Sequence, residues 1–429
     1  MSGKLGTSLG TIVGSVRSNS FSGKEILLFL SLVAFAFVPS INQLVVDGLV
    51  IDSGTEVLSI AAQVEWFDLF NETVLAFLIV PMYFVLNRAK DKDDLCRRIN
   101  LTFVLGVVTY IVISSIIYLH ASNLTVYMNV PEGTLEYLRL ETIGFVMGFI
   151  GSYLYVVFVV MGRYPYFICL LLAKVAMLSV GNMSLIPEMG VTGIALTNIL
   201  VNSLLSVVSV ILLFREGMVR RGIEFDRGVM SDWIRIGLFS GGQVLLANLV
   251  YMAIVMRMIN DVSQVGNYWL ANNFIWGWLL VPTMAVGEMV RREYLNGYSR
   301  LWNYLLLICG ILVLWVVSMP LWGIMFENVL HMEEGGAVLN VLYKLVPFYV
   351  FYAFSTVFQG VLTSVGRTDY LLMESAVVNI VYYGVMYALF LNGVFEASLD
   401  FAIMLFGFGM VVCLILDIIF YVRSKGSIH

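Results

Sequence analysis

Glu65, Asp68, Asn71 and Glu72 stand at offsets of three, six and seven residues, a spacing that gathers all four on one face of a helix. Carboxylates crowded on such a stripe repel one another and attract cations or protons, most strongly where water is excluded. Two readings follow: a cavity wall that draws cations or passes protons, or carboxylates near an interface that pair with bases on neighbouring helices. Lys174, in the apolar run Cys169-Leu-Leu-Leu-Ala-Lys174-Val-Ala-Met, is the natural partner for Asp47, Asp68 or Glu72. A fixed pair would be structural, whereas one that breaks when a proton or cation arrives would be a switch. Asp47 itself closes the run Asn42-Gln43-Leu44-Val45-Val46-Asp47, eight residues after Pro39, whose ring and missing N–H can kink a helix.

The second half carries a sparser polar set: Gln243, Asn248, Asn272, Asn273, Tyr352 and Asn379, with Arg257, Glu288 and Glu374 near span ends. Amides of this kind line cavities or hold helices together. Asp417 has Arg423 six residues on as a partner, and the aromatic group Trp269, Phe274, Trp276 and Trp278 suits either a cavity wall or helix packing. Several chemistries are missing. The chain has no GxxxxGK[ST] phosphate loop, no HExxH and no GxSxG, and its three His, at 120, 331 and 429, fall in connections or at the terminus. Transport driven by ATP on this chain alone, and metal- or Ser-His-dependent catalysis, are therefore not expected, and neither is a structural metal. The four cysteines, Cys96, Cys169, Cys309 and Cys413, share no CxxC spacing and read as packed thiols.

The elements that must hold these residues are set by hydropathy. Of 429 residues 60% are hydrophobic, mean hydropathy is +0.91, and 12% are charged, about half the roughly 25% of soluble domains. Apolar runs of about 20 residues, enough to cross a hydrocarbon core of about 30 Å, recur along the chain. They predict spans at 24–51, 57–87, 99–119, 137–161, 165–187, 191–214, 233–260, 267–290, 301–326, 343–365, 370–392 and 398–422. The net charge of −5 argues against a nucleic-acid partner. Basic residues fall in alternate connections: Lys4 and Arg17, then Arg88, Lys90, Lys92, Arg97 and Arg98, then Arg163, then Arg215, Arg220, Arg221 and Arg227. The pattern continues through Arg291, Arg292 and Arg300, Arg367, and Arg423 with Lys425, while 120–134 and 327–340 hold no Lys or Arg. By the positive-inside rule both termini are cytoplasmic and the number of spans is even. Residues 2–23 lack a long apolar core, so no cleavable signal is expected and the first span targets the chain.

Internal similarity divides the chain. Met161-Gly162-Arg163-Tyr164 matches Val365-Gly366-Arg367-Thr368, each between two long apolar spans, and Tyr137-Leu-Arg-Leu upstream parallels Tyr343-Lys-Leu-Val. Spans four and five thus resemble spans ten and eleven, a parallel duplication. The expected organisation is a tail at 1–23, a lobe at 24–214, a polar linker at 215–232, a lobe at 233–422 and a tail at 423–429.

Val46-Asp47, Gly54-Thr55-Glu56-Val57-Leu58, Tyr137-Leu138-Arg139 leading to Gly162, Gly190-Val191-Thr192-Gly193-Ile194-Ala195-Leu196-Thr197, and Gly360-Val361-Leu362 through Gly366-Arg367-Thr368 occur in order. With them the chain, from about 24 to 422, resembles the multidrug and toxic compound extrusion (MATE) family, in the superfamily that also holds lipid-linked oligosaccharide flippases. The resemblance implies an all-α integral membrane fold of about twelve helices, two pseudo-symmetric six-helix lobes in a V, exporting substrates in exchange for H⁺ or Na⁺. It implies a coupling role for Asp47, with Thr197 matching a helix-six threonine. Leu178 and Asn182 fall where the family has an Asn and an Asp on helix five, and the helix-one proline would fall near Leu32. Asn248 and Tyr352 stand where the sodium-coupled branch has acids, which disfavours coupling through the second lobe. Lys174 and the span-two acids depart from the family pattern and suggest a rewired first lobe.

The expectation is an antiporter that exports small organic, cationic or amphipathic compounds by alternating access, with no cofactor beyond H⁺ or Na⁺ as coupling ion. Asp47, Asn182, Thr197 and Lys174 would couple. Glu65, Asp68 and Glu72 would be cavity acids, and Gln43, Asn71, Gln243, Asn248, Asn272, Asn273, Trp276 and Tyr352 would face substrate. The protein would act as a monomer among lipids of the cell membrane. The alternatives are a lipid or lipid-linked glycan flippase, for which bases should outnumber acids in the cavity, a scaffold or receptor that tolerates loss of its buried charges, and, more remotely, an intramembrane enzyme.

Overall fold

The structure, a computed structural model, describes residues 21–219, 222, 224–292, 297–332, 335–365 and 367–426. Lys4, Arg17, Arg220, Arg221, Gly366 and His429 lie outside the described residues.

Among the described residues all regular structure is helical, as expected. Helices α1 (Gly23–Asp52), α2 (Thr55–Ala61), α3 (Val64–Leu78), α4 (Val80–Asn87), α5 (Lys92–Met128), α6 (Thr134–Val160), α7 (Tyr164–Met189) and α8 (Val191–Arg215) form the first half. The second half holds α9 (Arg227–Val250), α10 (Arg257–Asp261), α11 (Val265–Phe274), α12 (Val281–Arg292) and α13 (Gly297–Ile324). It ends with α14 (Gly335–Ser364), α15 (Thr368–Ala376), α16 (Gly384–Leu391) and α17 (Leu399–Gly426). Four π turns, Tyr251–Met256, Ile275–Leu279, Met325–Val329 and Val377–Tyr383, interrupt them.

Local chemistry sets the boundaries. Asp91 caps α5 by accepting from the Asp94 N–H at 2.8 Å, and Asn129 closes the helix in the left-handed region at φ 51°. Pro81 in the first turn of α4 ends the backbone ladder of α3. Pro39 sits inside α1, as the sequence places it.

Eleven helical stretches among the described residues are long and apolar enough to cross a bilayer, so the chain is a multi-pass membrane protein. Twelve spans are expected from sequence. The difference is the eighth, 267–290, which divides into α11, the π turn and α12, with Leu280 N–H bonded five residues back to Ile275 at 2.8 Å. Large apolar side chains left exposed, such as Val313, Leu314, Val316 and Val317 on α13, form a lipid-facing surface that water would penalise.

The helices pack as two compact units, Leu44–Gly266, and Met1–Gln43 with Asn267–His429. In the Leu44–Gly266 unit α6 packs on α5 and α8, α8 on α7, and α9 on α3 and α4. Its core includes Met82, Val85, Ile99, Tyr110, Phe149 and Val157. The seventh span, α9, thus packs with spans two to six, a grouping that differs from the sequence division at 215–232. Small residues allow it: a Cβ on Gly241 would meet the Phe77 ring at 2.1 Å, and one on Gly237 would meet the Phe77 carbonyl oxygen at 2.4 Å. Ser240 Oγ donates to the Ala76 carbonyl at 2.8 Å and Trp233 Nε1 to that of Leu78 at 2.9 Å. In the second unit α14 is central, packing on α12, α13 and α17.

Candidate functional site

The span-two acids all fall on the continuous helix α3, so the shared face read from their spacing is present. Asp68 is half-buried and accepts from Asn71 Nδ2 at 2.8 Å. Asn71 Oδ1 in turn accepts from the buried Tyr110 hydroxyl of α5 at 2.6 Å. The three groups make a relay across two helices, held by the Tyr110 ring stacked on Phe149 of α6 at 4.5 Å. A small cavity lined by Phe70, Asn71, Tyr110, Ser114 and Thr142 lies beside it. Glu72, one residue beyond Asn71, is exposed and accepts from Asn248 Nδ2 at 3.3 Å, while the same amide group lies 3.1 Å from the Leu69 carbonyl. Glu65 is half-buried at the start of α3.

Lys174 on α7 is half-buried and acts electrostatically on Asp68. Lys174 makes no ion pair within 4.0 Å among the described residues, so its charge reaches the acid without direct contact.

The most deeply buried acid of this unit was not singled out by sequence. Glu141, on α6, is 1% exposed. Both its carboxylate oxygens accept from Asn198 Nδ2 of α8 at 3.1 Å, and Tyr137, one turn earlier, is a further hydrogen-bond partner. Asp68 acts electrostatically on Glu141 and on Glu72. One signal was available: Glu141 is an acid inside the long apolar run of span four, the rule already applied to Asp47 and Lys174.

Asp47 is buried on α1, and Asn182 and Thr197 are buried on α7 and α8. Gly181 lets these two helices meet, since a Cβ there would stand 2.6 Å from Thr197 Cγ2. Thr197 Oγ1 donates to the Gly193 carbonyl at 2.8 Å, whereas Asn182 Oδ1 is enclosed without a hydrogen-bond donor. A buried amide oxygen in that condition is costly unless a donor or a cation meets its lone pairs. A carboxylate, an amide oxygen and a hydroxyl are the donor types that suit H⁺ or a hard cation such as Na⁺.

Of the remaining candidates, Gln243 is half-buried on α9. Gln43, Asn272, Asn273, Trp276 and Tyr352 belong to the second unit. There Trp276 Nε1 donates to the Tyr349 hydroxyl at 3.1 Å, which donates to Asn272 Oδ1 at 2.9 Å. Tyr352 packs edge-on against Trp276 at 5.5 Å, while Gln43 and Asn273 are half-buried. Asp417 takes Ser355 and Glu374 as partners. Among the described residues no disulfide joins the cysteines; Cys96 is buried, and Cys169 and Cys309 are exposed. No group of three or more His, Cys, Asp or Glu among the described residues is placed to hold a metal.

No protein-family model matches the sequence, and no curated protein matches it. Solved structures do match the fold. An inward-facing multidrug resistance MATE transporter of the MOP superfamily aligns with a TM-score of 0.73 at 16% identity, over 94% of this chain and 98% of that one. A MOP superfamily transporter from Pyrococcus furiosus, whose binding pocket has a reverse polarity suggesting a different function, aligns at 0.67 and 15%, over 94% and 95%. A Vibrio cholerae MATE transporter aligns at 0.66 and 15%, over 93% and 97%. The chain has the MATE fold over nearly its whole length, as the resemblance in its sequence implies.

Proposed function

We propose that this protein is a secondary transporter that exports small organic, cationic or amphipathic compounds in exchange for H⁺ or Na⁺. The observation that carries the proposal is the concentration of ionisable groups within one unit of a membrane fold: Asp68 is coupled electrostatically to Glu72, Glu141 and Lys174, from three different spans. Groups of this kind are expensive inside a bilayer and are retained where charge or protons move. Asp47 is the coupling acid, and Asn182 and Thr197 supply the other oxygen ligands. The orphaned Asn182 oxygen supports that assignment.

Asp68, Asn71 and Tyr110 carry the change in charge to α5, and Glu141 with Asn198 carries it to α6 and α8. Occupancy of Asp47 shifts the balance between inward- and outward-facing states only in so far as the ion binds one of them more tightly. Around the buried network the acids Asp47, Glu65, Asp68 and Glu141 stand against the bases Arg139 and Lys174, an excess that favours cationic over anionic cargo. The alternation of basic connections supports cytoplasmic termini and residence in the cell membrane.

The test is uptake of a fluorescent organic cation by purified protein in liposomes under imposed H⁺ or Na⁺ gradients. Gradient-driven transport that Asp47→Asn abolishes and Lys174→Ala alters in its ion dependence is expected. Uptake that ignores both gradients and survives both substitutions would overturn the proposal.

A further inference from the structure

The second unit holds two buried acids outside the coupling network. Glu374 on α15 and Asp417 on α17 are 6% and 0% exposed, and a hydrogen-bond chain through Ser355 and Gln359 joins them. Helix α14 supplies the surrounding donors: Ser355 Oγ donates to Asp417 Oδ2, and Gln359 Nε2 donates to Glu374 Oε2 at 3.3 Å. Cys413, one turn before Asp417, is a further partner of Glu374. Asp417 Oδ1 remains buried and receives no hydrogen bond.

Among the described residues no basic side chain forms an ion pair with either acid. Arg291 of α12 pairs with Glu288 at 3.8 Å and Arg367 with Asp369 at 3.0 Å, while Arg423 and Lys425 lie exposed near the end of α17. Cys413 is the other titratable group beside the pair; Tyr352 of α14 and Tyr383 of the π turn interact electrostatically with that thiol, and the Tyr383 hydroxyl donates to the Phe406 carbonyl. Ionised carboxylates offer only acceptors, so two of them form a hydrogen bond with each other only while one carries a proton. Here Ser355, Gln359 and Cys413 furnish donors enough for one charge. With no ion-paired cation among the described residues, a second charge would face the first across a dry interior.

We propose that Glu374 and Asp417 form a proton-binding site of the second unit, one exchangeable proton bridging Asp417 Oδ1 and Glu374. Release breaks an O–H bond and delivers the proton to water, leaving the pair with two negative charges that repel. Uptake restores one charge and the bridge between α15 and α17. The contacts of α15 and α17 with each other and with α14 make that bridge a determinant of how the last three spans pack. The site stands independently of the coupling role given to Asp47.

Infrared difference spectroscopy of the full-length protein in lipid tests it without any substrate. Wild type at neutral pH should show the carbonyl band of a protonated carboxylic acid that disappears at alkaline pH, and Asp417→Asn and Glu374→Gln should each remove it. Ser355→Ala keeps both acids and should change the pH at which the band is lost, which serves if either acid variant fails to fold. A band that all three variants leave unchanged overturns the proposal. So does one that sodium removes at constant pH, which would make the pair a cation site. Because no transport is measured, failure here is separate from failure of gradient-driven uptake.

Discussion

Asn198 Nδ2 lies 3.1 Å from each carboxylate oxygen of Glu141, a contact that ties α8 to α6 through a half-buried amide and a buried acid. The two residues are 57 positions apart in sequence, and each satisfies a polar group that the surrounding apolar side chains cannot.

Removing one partner should therefore cost more than exchanging it for a similar one. Asn198→Leu leaves a buried carboxyl group with only Tyr137 to bind, and a loss of about 1.5–3 kcal/mol is expected, the range for hydrogen bonds to a charged group. Glu141→Gln, which keeps the shape, should lose less. Unfolding titrations in mixed micelles measure both, and equal losses would show that the charge of Glu141 carries no weight there.

Tyr110→Phe deletes the hydroxyl that donates to Asn71 Oδ1 while keeping the ring on Phe149. The stability cost should be about 1 kcal/mol. The ion dependence of liposome uptake should change more than the yield of folded protein does. A variant with unaltered ion dependence would remove Tyr110 from the relay.

Gly241→Ala places a methyl group into the Phe77 ring, and overpacking of this kind costs about 1–3 kcal/mol. Thermal stability should fall, and Phe77→Ala in the same chain should return much of it. Losses that simply add in the double variant would mean that the two residues do not meet.

The connection after α8 carries a pH dependence of definite sign. Hydrogen bonding from Arg163 at 2.7 Å, with its charge beside it, holds the Glu216 carboxyl below the usual glutamate value. A lowered folded value means that the pair's contribution is present above the ordinary glutamate range and is lost as pH falls through the folded value. Wild type should melt above Glu216→Gln at neutral pH, and the two should converge in acid. Arg163 is largely exposed, so the difference will be small and will shrink with salt. A gap that widens on acidification would contradict the assignment.

The helices were legible because a bilayer demands about 20 apolar residues per crossing and the sequence supplies them. The acidic face of α3 was legible for a similar reason: residues 65, 68, 71 and 72 obey the helical period. The partners of those residues were not. Asn198 has no periodic relation to Glu141, and Tyr110 none to Asn71, since contacts between helices are chosen by rotation and depth rather than by spacing. The docking of α9 on α3 did leave a trace in Gly237 and Gly241, four residues apart, a spacing that lets helix backbones approach closely in membranes. Lys174 was recognised as a lone intramembrane base, and Asp68 was among its expected partners. Its separation from that acid depends on side-chain reach that no pattern encodes.

The broken eighth segment bears on how the chain is made. Between 265 and 292 the π turn Ile275–Leu279 divides the helix, and Asn267, Asn272, Asn273 and Glu288 raise the cost of leaving the insertion machinery for lipid. The strongly apolar α13 follows directly. A nascent chain halted after Arg292 should keep this segment at the protein-conducting channel, and one extended through α13 should release both together. The polar groups are then buried by neighbours that arrive after them, and the order of synthesis becomes part of how the second unit is assembled.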